Sequence, residues 1–297
     1  MSSSRATAAT GAARARVTAL LAELEVDQQL IAVTDLAAAF GIVQGVLPDR
    51  VLDLAVTESG RLRIRAELRG RRWAEDRGIG VPEALAAADD GRWLMSRRVR
   101  PAGPGNARWV EEAVDAAVRI APLPAPPGEP WEPPSGRGLG RVRAHAEDAG
   151  RLLRGGVRLG ELRAVRTAAR RLPLAEVSHG DYRAANAVLD EELGRLVVLE
   201  WAGVHAGPRH RDLLTLWATT AATEARRRIA DVVLERTAGW EEPDVGLLWH
   251  AVAIEQLVGR LTRPDRGDGL DVAFARSRLV DARRMAAGLG SPVRAGS

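Results

Sequence analysis

The chain has 297 residues, 46% of them hydrophobic and 28% charged, the balance of an ordinary globular protein rather than a disordered one. It holds no cysteine, which excludes disulfides, thiolate metal sites and cysteine nucleophiles. The formal charge is +4, and all 43 basic side chains are arginine, so a basic field that favours anionic partners such as nucleotides is built without one lysine amine. Biased codon usage accounts for this, given the high alanine and glycine content; avoidance of reactive amines is the functional alternative.

Residues 1–16, rich in Ser, Ala and Arg, are expected to form a mobile arm, and the periodic segment 17–24 a helix. Segments 31–36 and 51–56 read as strands, and 61–66 either extends the second of them across Glu58-Ser59-Gly60 or begins a helix. Gly41 and Gly45 are too sparse for a phosphate-cradling loop and mark a turn. Trp109, Ala113, Ala116 and Ala117 fall on one face of a helix over 109–120. The proline-rich stretch 122–134 is an extended crossing, a substrate-side loop or an inert linker. Apolar runs 187–189 and 196–199, joined by 190–194, read as a β-hairpin. Helical patterns follow over 213–222, 224–238, 245–261 and 271–289, broken at Pro243, Pro264 and Gly267. No apolar run approaches the roughly 18 residues that span a bilayer, and 17–26 carries Glu23 and Glu25, unlike a signal segment. A cytoplasmic location without a membrane partner is expected, and oligomeric state stays open.

The stretch 177–201 carries the chemistry. His179, Asp181 and Asn186 fit H-x-D-x-x-x-x-N, in which an Asp accepts the proton of an attacking hydroxyl and an Asn five residues on holds a metal. The hairpin that follows returns Glu200 as a second metal-facing carboxylate. His179-Gly180-Asp181-Tyr182, Asn186 and Glu200-Trp201, followed by Asp212-Leu213-Leu214, resemble the aminoglycoside phosphotransferase and choline kinase family, relatives of the protein kinases. The resemblance implies an α+β, protein-kinase-like fold of two lobes. A small antiparallel-sheet N-lobe would cover 17–100, and a larger, mainly helical C-lobe would cover 101–297 with the catalytic loop at 177–201. One position departs from the signature, since Glu200 stands where the family has Asp.

What the family implies for chemistry is an ATP-dependent phosphotransferase, moving the γ-phosphate to a hydroxyl of a small molecule or a biosynthetic peptide with Mg²⁺. Asp181 would be catalytic, with Asn186 and Glu200 on the metal. The text from Arg65 resembles the helix after the nucleotide-lysine strand, with Glu67 as its glutamate. Residues 91–95 resemble the last N-lobe strand, with Trp93 and Met95 beside the nucleotide and a hinge at 101–105. Asp53 takes the position of the family's strand lysine, facing Glu67 with the wrong sign, unless Arg63 or Arg65 substitutes for the lysine. A unit-charge contact of that kind is worth on the order of 4 kcal/mol at an effective dielectric near 20. The alternative is a pseudokinase, a binding or scaffolding module that keeps the fold and has lost transfer. Aminoglycoside acceptors are disfavoured, because a polycation wants an acidic cleft and the C-lobe text is arginine-rich apart from Glu241-Glu242-Asp244. A nucleic-acid partner is not expected. His210-Arg211-Asp212-Leu213 spells a kinase tetrad but has Trp217 where a metal ligand belongs, so Asp212 is expected to support the catalytic-loop backbone. His205 and His210 read as structural.

Overall fold

The computed structural model describes residues 2–36, 40–102, 107–128, 150, 153, 155–158, 160–161, 174–237, 242–262 and 271–288. The chain divides into two compact units, one of residues 1–102, 126–135 and 189–204, the other of 103–125, 136–188 and 205–297.

The first unit is built on a five-stranded antiparallel sheet ordered β1-β2-β3-β5-β4. Its strands are β1 (Ala32–Leu36), β2 (Ile42–Val46), β3 (Arg50–Ala55), β4 (Ala84–Ala87) and β5 (Trp93–Arg97). The period of two sends alternate residues to opposite faces. On one face Val43, Leu52 and Met95 form a core with Ala13, Val17, Leu20 and Leu21 of helix α1 (Ser2–Glu23). On the other, Ile42 and Leu94 meet Ile64 of helix α2 (Glu58–Glu75). Thr57 caps α2, its Oγ1 accepting from the Gly60 amide at 3.1 Å. α1 runs through residues 2–16, where a mobile arm is expected. Alanine and arginine are strong helix formers, and Ala13 and Val17 are buried against the sheet. The turn expected around Gly41 and Gly45 resolves into Gly41 alone, at φ 69°, followed by β2. Gly45 lies within the strand because a Cβ there would come 2.6 Å from Val17. Segment 61–66 is helical.

Residues 189–204 complete this unit. Strand β6 (Pro101–Ala102) pairs with Asp190 and Leu189 of β8 (Ala187–Asp190), and β9 (Arg195–Val198) follows as the second arm of the expected hairpin. The Val198 amide donates to the Gly80 carbonyl at 2.8 Å. The rest of the expected hinge, 103–105, lies outside the described residues, as does 129–134 of the proline-rich stretch.

The second unit is mainly helical. Helix α3 (Ala107–Ile120) buries Trp109, Val110, Ala113, Ala116, Ala117 and Ile120 along one stripe. Strand β7 (Leu174–Ser178) pairs antiparallel with β10 (His205–Pro208). The helices α4 (Arg211–Thr219), α5 (Thr223–Arg236), α6 (Glu242–Thr262) and α7 (Val272–Gly288) follow near the expected positions. Trp217 of α4 meets Trp249 of α6 edge to face, centroids 5.5 Å apart. No described helix is long and apolar enough to cross a membrane.

Candidate active site

In the helical unit the loop after β7 is held from beneath by Asp212. This buried carboxylate accepts from the Ser178 hydroxyl and from the His179 amide, both at 2.7 Å. Gly180 then takes φ 88°, a conformation that favours glycine, so the chain turns sharply and presents Asp181. Tyr182 points back into the core, its hydroxyl donating to the Ala113 carbonyl at 2.7 Å, with its ring edge-on to His179 at 5.7 Å. Burial raises the Tyr182 pKa well above the usual phenol value, so it anchors the loop and stays protonated. Downstream, the Ala184 amide donates to Thr219 Oγ1 at 3.0 Å, and the Trp109 indole donates to the Ala187 carbonyl at 2.6 Å.

Asp181 emerges from this frame 41% exposed. Asn186 Nδ2 donates to its backbone carbonyl at 2.8 Å and to its Oδ2 at 3.2 Å. Arg183 Nε lies 2.7 Å from Oδ1 as an ion pair. The two residues that the motif joins are therefore in contact, and Arg183, which sequence reasoning passed over, completes the group. Its position two residues past Asp181 on the same turn was the available signal.

The sheet unit carries a second charged group on the inner face of α2. Asp53 faces that helix from β3 and accepts from Gln44 Nε2 on β2 at 2.9 Å. Glu67 is paired with Arg71, Nε to Oε1 2.7 Å, and both are buried. Arg71 also donates to Ser96 Oγ of β5 at 2.7 Å. Glu67's ion-pair partner is thus an arginine of its own helix, one turn on. Arg63, one turn before Glu67, pairs with Glu200 and lies over the Phe40 ring, 4.4 Å from its centroid. Glu200 adopts φ 68°, ψ 56°, just before the 3₁₀ turn Trp201–Gly203. Trp201 fixes that turn, since it is fully buried, donates to the Val198 carbonyl at 2.7 Å and meets Trp73 at 6.1 Å. Gly70 of α2 lets it come close, because a Cβ there would lie 2.8 Å from the Trp201 Cβ.

Three residues expected on the nucleotide side lie apart from this charged group. Arg65 points away from this group and pairs with Glu58 at 3.5 Å, because its place on the helical wheel is half-exposed. Met95 is 3% exposed in the core under α1, and Trp93, two residues before it on the same face of β5, packs against that core. Loss of hydration raises the Asp53 pKa above the ordinary carboxylate value; Glu67 lies near enough for its charge to add to the rise, and the nearby Arg63 and Arg71 oppose it.

The raised pKa means that ionised Asp53 costs stability at neutral pH, a cost that vanishes as pH falls through the native value. Asp53→Asn still accepts from Gln44 and is expected to melt higher than wild type at pH 7, the gap closing towards pH 4. A lower melting temperature at pH 7 would show that attraction to Arg63 and Arg71 outweighs the lost hydration.

The sequence profile described as "Phosphotransferase enzyme family" matches residues 42–246. No curated protein matches the chain. Among solved structures, aminoglycoside phosphotransferase APH(4)-Ia superposes with a TM-score of 0.59 at 15% identity, over 93% of this chain and 99% of that one. The GDP complex of wild-type aminoglycoside 2'-phosphotransferase-IIIa gives 0.56 at 12%, over 92% and 98%. A choline/ethanolamine kinase family protein from Mesorhizobium loti gives 0.52 at 16%, over 93% and 94%. At these identities the likeness establishes the fold, a protein-kinase-like α+β architecture.

Proposed function

The chain belongs to the phosphotransferase enzyme family, and from that premise we propose that it transfers the γ-phosphate of ATP to a hydroxyl of a small molecule or a biosynthetic peptide. The observation that carries the reading is Asp181, partly exposed on a rigid loop and held on both sides by Asn186 and Arg183. Its carboxylate takes the proton of the acceptor hydroxyl while that oxygen attacks the γ-phosphorus and ADP leaves. Arg183 and Asn186 fix the direction of the carboxylate, and Asp212 fixes the backbone beneath it, so little reorganisation accompanies the proton transfer. Asn186 and Glu200 are each proposed as a magnesium ligand, being oxygen donors of the kind a hard cation takes. Magnesium, when bound, neutralises charge on the β- and γ-phosphates. Glu67 and Arg71 brace α2 against β5 through Ser96, which supports the nucleotide side.

The second reading, a nucleotide-binding module with impaired transfer, is favoured by one observation: Glu200 is engaged by Arg63. Among the described residues no three His, Cys, Asp or Glu side chains gather as a metal site. The acceptor is proposed to be neutral or anionic rather than polycationic, on the arginine-rich charge balance of the helical unit.

Melting curves with ATP and GTP, each with and without Mg²⁺, test nucleotide binding directly. A ligand at 100 times its Kd stabilises the native state by about 2.7 kcal/mol. A clear upward shift with one nucleoside triphosphate is expected, followed by ADP formation that depends on an added hydroxyl acceptor. No shift with either nucleotide would overturn the proposal, and a shift without any transfer would favour the second reading.

A further inference from the structure

Arg63 is 7% exposed, yet its counter-ion is a carboxylate whose side chain is 40% exposed. A guanidinium taken that far out of water must keep an anion against it. On one side Phe40 provides a ring face, and on the other Glu200 provides the charge. Other arginines of α2 are engaged differently. Arg71 is tied to Glu67 and Ser96, while Arg61 and Arg65 lean on Glu58 at the surface. Glu200 is presented by an uncommon left-handed backbone, and the buried Trp201 holds that backbone in place. A fixed backbone with a half-exposed side chain lets the carboxylate leave Arg63 without unfolding its surroundings.

Resting on the nucleotide-binding reading above, we infer that Arg63 is the cation that receives the nucleotide's phosphates in this lysine-free chain, and that Glu200 occupies it as a built-in anion until a phosphate displaces it. The guanidinium fork matches two phosphate oxygens as well as it matches a carboxylate, and a polyphosphate brings more negative charge. Displacement releases Glu200 toward solvent, where it becomes available to a divalent cation. Phosphate and cation then each gain from breaking the same ion pair, so each favours the binding of the other, by the same factor in both directions.

Calorimetric titration of the full-length chain with ATP, once in EDTA and once in excess Mg²⁺, tests this. Glu200→Gln is expected to bind metal-free ATP several-fold more tightly than wild type, because the occupying anion is gone. Arg63→Ala is expected to bind it at least about tenfold more weakly, the scale of a charge-assisted contact. Arg63→Lys is expected to fall between, and Arg61→Ala to match wild type. Magnesium-dependent binding that Arg63→Ala leaves unchanged would overturn the Arg63 assignment while the nucleotide reading stands. Absence of ATP binding by wild type in both buffers would overturn both. Should circular dichroism show Arg63→Ala unfolded, the Glu200→Gln arm decides, and equal or weaker metal-free binding there would sink the inference.

Discussion

Replacing Asp181 by Asn is expected to lower turnover by about two to four orders of magnitude, the usual scale for removing a general base, while leaving nucleotide affinity within about twofold. The substitution is nearly isosteric. The backbone carbonyl that accepts from Asn186 is untouched, and Asp212 still binds the Ser178 hydroxyl and the His179 amide, so the loop keeps its shape. What is lost is the proposed proton acceptor and the ion pair with Arg183. Steady-state kinetics and direct binding on the same preparation separate the two effects. Turnover close to wild type would remove Asp181 from the chemistry; equal losses in turnover and affinity would mean that the loop had moved.

Truncating Trp201 to Ala should cost about 3–5 kcal/mol, the range for removing a large buried aromatic side chain. The indole is fully buried, packs against Trp73 and the gap that Gly70 leaves open, and makes a hydrogen bond inside the unit. Its loss leaves the Val198 carbonyl without the indole donor and opens a cavity bordered by the α2 backbone, which cannot close without bending the helix. Because Glu200 immediately precedes it, the same change should loosen the Arg63–Glu200 pair. Denaturant unfolding measures the first effect. A loss under about 1 kcal/mol would show that the turn repacks freely around the gap.

The two groups of charged residues were unequally legible in the sequence. Asp181, Asn186 and Asp212 could be named because their relation is local: a fixed spacing on one loop, and a carboxylate at the start of the next helix. The hairpin before Glu200 could be placed from its apolar runs, whereas the helix carrying Glu67 followed only from the family resemblance, since 61–66 reads equally as a strand extension. The partners of Glu67 and Glu200 could not, since six arginines occur along α2 and which of them turns inward depends on how the helix lies on the sheet. The i,i+4 spacing of Glu67 and Arg71 was visible but reads equally well as a surface pair. The surroundings of Trp93 and Met95 were hidden for a related reason. The alternation of β5 says that they share a face, and only α1 says that this face is core. α1 itself was missed over its first half because serine and arginine suggest an arm, while the alanines between them favour a helix whose last turns are covered by the sheet.

The sheet unit is discontinuous, and this bears on how the molecule is made. Residues 189–204 contribute the strand paired with β6, the amide bonded to Gly80, the ion pair from Glu192 to Arg97 at 2.6 Å and the indole that packs on Trp73. During synthesis from the N-terminus, the first hundred residues leave the ribosome well before these partners exist. Loop-closure entropy must then be paid across nearly ninety intervening residues before the unit gains those contacts. A nascent chain arrested before residue 189 should accordingly expose Trp73 and the backbone near Gly80, making that interval the one in which protease attack or chaperone capture has most effect.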